Sequence, residues 1–289
     1  MISYEALLAR EFAAVEHSYS VRDTILYALG LGLGADPLDP AHLRATYEGA
    51  EGFCALPAMV NVLAYPGFWA MEPDTGLNWQ KILHGEQSLT LHAPLPAEGT
   101  LIGQTRITGI VDKGAEKGAL IYSERVLRDK ATGDRIATVA SSTFARGDGG
   151  FGGPQGPVKP VHTLPETPPD VTFDHRTQPG SALAYRLSGD MNPLHADPDV
   201  ARSVGFEKPI LHGLCTLGVA AWSITQAMAD GDAQALTHLQ LRFSSPVYPG
   251  ETIRTEMWRE EGDKVSFRAR VVERDVVVLN NGLALLGRG

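Results

Sequence analysis

Between Tyr185 and Ser223 the chain reads YRLSGDMNPLHADPDVARSVGFEKPILHGLCTLGVAAWS, and its chemistry is concentrated there. Asp190, Asn192 and His195 fall within six residues, and His212-Gly213 stands at the head of an apolar stretch. Folded back across the Asn192-Pro193 corner, Asp190 and His195 face one point in space. A carboxylate and an imidazole sharing one water form a general acid/base pair that works near neutral pH. Asn192 steadies the loop or hydrogen-bonds the pair. Gly213 matters for its backbone: the first amides of a helix lack intrahelical acceptors and lie at the positive end of its dipole. Such a donor stabilises an oxyanion growing on a carbonyl oxygen, and the missing side chain lets a ligand reach it.

Each of these residues has a duller reading. Gly, Asp, Asn and Pro are the commonest turn formers, so on composition alone Gly189–His195 is a turn. The histidine that follows, with more chemistry downstream, shifts the balance. His195, His212 and Cys215 have usable zinc spacing, but a fourth ligand is missing and Cys215 falls on the apolar side, so no metal is expected. His212 reads as a structural residue pinning loop to helix. Gly147-x-Gly149-x-x-Gly152 imitates a dinucleotide fingerprint but is followed by prolines and no helix, and Gly30, Gly32 and Gly34 lack a preceding strand.

The elements that position these residues follow from periodicity. Leu214, Leu217, Ala221, Ile224 and Met228 recur at helical spacing behind Gly213. Short helices are expected at Tyr4–Val15 and Ser20–Leu29, with Ser20 as N-cap, and at Ser181–Ser188, while His42–Glu48 is extended or a short helix. The apolar stretch Phe53–Met71 is interrupted by Pro57 and Pro66-Gly67, which argues against a long helix. From His84 the period is two: Ser88–His92, Gly99–Val111, Ala119–Arg128 and Arg135–Phe144 form one antiparallel meander. Thr237–Phe243, Thr252–Arg259, Lys264–Glu273 and Asp275–Leu286 form another. Residues 147–170, dense in Gly and Pro, are a linker. SLTLHAPLPAEGTLIGQTRI (88–107) echoes HLQLRFSSPVYPGETIRTEM (238–257), which implies two copies of one unit, a sheet folded against a helix. The expected organisation is a first half, 1–146, the linker 147–170, and a second half, 171–289, that holds the chemistry.

At 289 residues with 43% hydrophobic and 20% charged content, the chain has globular composition. The net charge of −9, with no basic cluster, excludes a nucleic-acid partner. No apolar run has the eighteen or so residues a membrane span needs. Two cysteines suit neither a disulfide scaffold nor a cysteine metal site. With no basic leader at the start and no Ser-Lys-Leu address at the end, the expected compartment is the cytoplasm.

Taken together, these motifs resemble the MaoC-like dehydratases, and more closely the eukaryotic-type (R)-specific 2-enoyl-CoA hydratase 2 branch, which includes the hydratase part of the peroxisomal multifunctional enzyme. Tyr185–His195 and Ile210–Thr216 match its signature without departure. YALGLG (27–32), FCALP (53–57), LHGEQ (83–87), PLP (94–96), DKG (112–114) and GGFGG (149–153) extend the likeness over nearly the whole chain. The resemblance implies an α+β double hot-dog, two antiparallel sheets each wrapped on a helix, with the N-terminal helix broken or absent. It also implies reversible hydration of a trans-2-enoyl-CoA to the (3R)-3-hydroxyacyl-CoA by a homodimer that needs no cofactor beyond the coenzyme A of its substrate. Asp190 and His195 then hold the water and Gly213 binds the thioester oxygen. Positions matching the family's ligand contacts are His84, Gly85, Lys113, Asn192 and Phe243. An acyl-CoA thioesterase and a non-catalytic acyl-CoA-binding subunit are the rival readings.

Overall fold

A computed structural model describes residues 2–287. The chain opens with a short helix α1 (Tyr4–Leu8), a strand β1 (Val15–Tyr19), and helices α2 (Val21–Gly30) and α3 (Pro40–Thr46). Asp23 fixes the start of α2, its carboxylate accepting from both the amide and the hydroxyl of Ser20 at 2.9 and 2.6 Å. The expected helix at the N-terminus stops at Leu8, because from Val15 the burial alternates with period two and the segment joins the sheet instead. Strands β2 (Ile82–Leu91), β3 (Gly99–Asp112), β4 (Ala119–Asp129) and β5 (Arg135–Ala145) follow.

The second half repeats this order: β6 (Val171–Arg176), α4 (Ser181–Tyr185), α5 (Pro198–Ser203), α6 (Gly213–Met228), β7 (Leu236–Phe243), β8 (Thr252–Arg259), β9 (Lys264–Val271) and β10 (Val276–Leu286). Where it has the sixteen-residue helix α6, the first half has only a five-residue 3₁₀ turn, Pro57–Asn61. The prolines flagged in the sequence account for that loss. The turn is nonetheless wholly buried and fills the place of a helix. β1 and β6 escaped the sequence reading, since each is a short strand at the edge of the sheet.

Among the described residues, ten strands form a single antiparallel sheet in the order β1-β3-β4-β5-β2-β7-β10-β9-β8-β6. The two expected sheets are therefore joined: β2 pairs with β7 over Glu86↔Arg242 to Thr90↔His238. The sheet curls around α6, whose residues from Cys215 to Thr225 are all buried. Leu217 and Ile224 are fully buried there, each contributing about 1.5–3 kcal/mol of apolar transfer. Residues 147–170 hold no helix or strand. They cross the other face of the sheet as a strap: the Lys159 amide donates to the Tyr122 hydroxyl at 3.4 Å, and the Trp258 indole donates to Thr167 O at 2.8 Å. Of the glycines that imitate a nucleotide motif, Gly152 binds a carboxylate instead, together with two neighbouring glycines. Asp112 accepts from the amides of Gly114, Gly150 and Gly152 at 2.7–2.9 Å, which holds its carboxyl below the usual range.

Candidate active site

The catalytic loop is built by its own polar side chains. After Gly189, which takes a positive φ of 129°, Asp190 Oδ1 accepts from the Asn192 amide at 3.2 Å. Asn192 Oδ1 then accepts from the Leu194 amide at 3.0 Å and caps the 3₁₀ turn Pro193–His195. Of the two roles read for Asn192, the contacts are those of a loop brace. The turn lowers His195 into the protein, where its Nδ1 lies 2.9 Å from Ile210 O. A carbonyl can only accept, so Nδ1 carries the hydrogen and Nε2 presents a lone pair.

His212 occupies the N-cap of α6 and is 1% exposed. Its Nε2 donates to Asp190 O at 3.1 Å and its ring stacks on His195 with centroids 3.7 Å apart. This is the pin between loop and helix that the sequence suggested. Burial and the neighbouring His195 push its imidazole down to about 4, and burial also holds His195 below the ordinary histidine value. Both rings are therefore neutral at pH 7. A ligand atom from each of Asp190, His195 and His212 lies within 4.8 Å of the others, the makings of a cation site. The two imidazoles are stacked only 26° from parallel, so their lone pairs run side by side and do not converge on one ion.

The Cys215 and Thr216 amides make the first bonds of α6, to His212 O. The Gly213 amide thus lies outside the helical ladder at its positive end. A Cβ on Gly213 would come within 3.0 Å of Phe243 Cε1. Phe243, the last residue of β7, also packs on His84, with ring centroids 4.6 Å apart. The seam between β2 and β7 therefore places His84, Phe243 and Gly213 side by side, and Gly85 follows His84 in β2. Lys113 is not brought to this group. It is exposed on the β3–β4 hairpin, and β3 lies three strands from β2, about 14 Å at ordinary strand spacing.

Sequence reasoning passed over three residues. Tyr65 lies near enough that burial and the Asp190 charge together push its hydroxyl up to about 12. Asn61 and Gln87, buried on the first-half side, are hydrogen-bonded in line with His84. A polar residue flanking broken apolar sequence was the one available signal for Asn61. Cys215 is fully buried with its thiol pushed up by burial, as befits a structural residue.

Known proteins arrange the same parts over the same length. Residues 17–147 match the MFE-2 hydratase 2 N-terminal domain and residues 160–281 match the MaoC like domain. The chain is 41% identical over 270 residues to the peroxisomal multifunctional enzyme type 2 of Mus musculus, a match that takes in 91% of this chain but only 36% of that protein. It is 36% identical to the probable enoyl-CoA hydratase 2 of Dictyostelium discoideum, covering 99% of this chain and 97% of the relative. A crystal structure of a MaoC-like dehydratase from Phytophthora capsici superposes with a TM-score of 0.87 at 37% identity, covering 99% of both chains. The double hot-dog that carries the Asp190–His195 loop and the Gly213 helix end is thus a member of the MaoC-like hydratase 2 family.

Proposed function

We propose that the chain is a hydro-lyase that adds water reversibly to a trans-2-enoyl-CoA, giving the (3R)-3-hydroxyacyl-CoA. One observation carries the reading: a carboxylate, an imidazole with a free Nε2 lone pair, and an unbonded helix-end amide meet at the start of α6. The thioester carbonyl accepts from the Gly213 N–H, which draws electron density off the conjugated β-carbon. Water lies between Asp190 and His195 Nε2. The pair removes one proton as the oxygen bonds to the β-carbon and returns one proton to the α-carbon, so atoms and charge balance.

The first half supplies the wall opposite α6 and the acyl-chain side, with its His84 and Gly85 beside Phe243 of the second half at the thioester end. Lys113, remote from the chemistry, suits a phosphate of coenzyme A. No cofactor or resident metal enters the scheme. The division into halves 1–146 and 171–289 about the 147–170 linker belongs to the same proposal, as does assembly as a homodimer. Two free cysteines suit a reducing, cytoplasmic setting. Among the described residues, no helix is long and apolar enough to cross a membrane.

Incubation with a trans-2-enoyl-CoA, following the conjugated thioester absorbance together with free thiol, tests the reading. Absorbance lost without thiol is the expected result. Release of thiol identifies a thioesterase, and an unchanged solution identifies a binding subunit. Either outcome overturns the proposal.

A further inference from the structure

His84 reaches the active-site end of the sheet through an irregularity in β2. On a regular strand, residues three apart point to opposite faces, so His84 would turn away from Gln87, which is buried against the core. The register of β2 on β5 slips between His84 and Glu86, and the extra residue is Gly85. With that residue inserted, His84 and Gln87 share a face, and His84 Nε2 lies 2.8 Å from Gln87 Oε1. A Cβ on residue 85 would meet Ser142 Oγ at 2.9 Å and Ser142 O at 3.2 Å, so glycine is what the bulge tolerates.

The contact continues inward. Gln87 Nε2 donates to Asn61 Oδ1 at 2.6 Å, and Asn61 Nδ2 donates to Ala58 O at 2.9 Å. The polarity of the chain is forced from its inner end. A backbone carbonyl only accepts, so Asn61 must turn its amide nitrogen to Ala58 and its oxygen to Gln87. Gln87 must then give its nitrogen to Asn61 and its oxygen to His84, which leaves the His84 hydrogen on Nε2. Asn61 is 3% and Gln87 5% exposed, so an inverted amide would face like against like with little water to repair it. The inner anchor is itself braced: the Arg125 guanidinium donates to Val60 O and Asn61 O at 3.2 and 2.7 Å.

We propose that Asn61 and Gln87 are positioning residues for the hydration reaction. They fix the orientation and the Nε2–H tautomer of His84 beside Phe243 and Gly213, so that the remnant of the first-half helix serves the active site. The kinetic part of the test rests on the hydratase reading, and the spectroscopic part does not.

Histidine labelled with nitrogen-15, with His84 assigned by the signal lost in His84→Asn, reports the tautomer directly. The wild-type protein should show His84 as Nε2–H, and Gln87→Met should abolish that preference. Gln87→Met should also lower kcat/KM for the enoyl-CoA about tenfold. Placed in a His84→Asn background it should lower it no further, since its effect passes through the imidazole. An Nδ1–H His84 in the wild-type protein, or losses that multiply in the double variant, would overturn the proposal. Should Gln87→Met fail to fold, Asn61→Leu replaces it. That change removes the acceptor that orients the Gln87 amide, so the His84 tautomer is no longer fixed, and it is held to the same two criteria. If the wild-type protein does not hydrate the substrate, the proposed function falls alone, and the tautomer still decides the chain.

Discussion

Gly213→Ala separates the chemistry of the helix end from its packing. The added methyl carbon would stand 3.0 Å from Phe243 Cε1 and 3.2 Å from Cδ1, whereas carbon atoms rest at about 3.5–4.0 Å. Something must therefore retreat by about half an ångström or more. If the ring moves, it presses on His84, already 4.6 Å away between centroids. If the helix end moves, the amide leaves the carbonyl it serves. Misplacement on that scale costs a hydrogen bond made only in the transition state, and loss of one such donor is worth about 10²–10³ in kcat. Stability has opposing terms: alanine favours a helix over glycine by up to about 1 kcal/mol, and overpacking costs about 1–3 kcal/mol. The expected result is kcat for a trans-2-enoyl-CoA reduced about 100-fold or more, with Tm displaced by only a few degrees and KM changed far less than kcat. A folded Gly213→Ala protein with kcat within about threefold of wild type would refute the assignment of the carbonyl to this amide.

Further outcomes follow from the same geometry. Asp190→Asn keeps the oxygen that accepts from Asn192 and removes the charge, so it should lower kcat about 10³-fold or more with an unaltered melting curve, and His195→Gln should do the same in steady-state assays. His212 titrates near 6.5 when unfolded but only at about 4 when folded. Between those values the unfolded chain binds the extra proton, so stability falls as pH drops from about 6.5 to about 4. His212→Gln should flatten that slope in urea titrations, and a slope left unchanged would contradict its cause. In the native protein, thiol alkylation should modify half-buried Cys54 before buried Cys215, with both thiolates disfavoured by burial, and mass spectrometry of the digested protein reads the order. Exhaustive chelation should leave the hydration rate unchanged, because no step runs through an ion.

The sequence told most about what is local. The helical spacing behind Gly213 marks α6, the Asp190–His195 motif marks the loop, and the turn residues mark eight of the ten strands. What stayed hidden is what depends on partners distant in the chain. The seam between β2 and β7 pairs residues about 150 positions apart, such as Glu86 and Arg242, and neither strand differs locally from one that ends a sheet. The edge strands β1 and β6 are too short to separate from the irregular chain beside them. Gln87 looked like any polar strand residue, because counting by twos puts it on the face opposite His84. Only the bulge at Gly85 reverses the count, and a bulge leaves no periodic trace. Lys113 shows the other side of this: a motif position marks a residue without saying how far it sits from the Asp190–His195 loop, and only the strand order gives that separation.

The seam also bears on how the molecule fails and how it was assembled. Two units joined only by a strap could rock apart to admit a bulky ligand, but here the junction is a ladder of main-chain hydrogen bonds like any other in the sheet. The angle between the halves is therefore as stiff as the sheet. Cut at the linker, each fragment would bare a long unsatisfied edge, β2 on one and β7 on the other, of the kind that templates aggregation. The two fragments should accordingly be insoluble when expressed alone and recover each other when mixed, because each edge is the complement the other lacks.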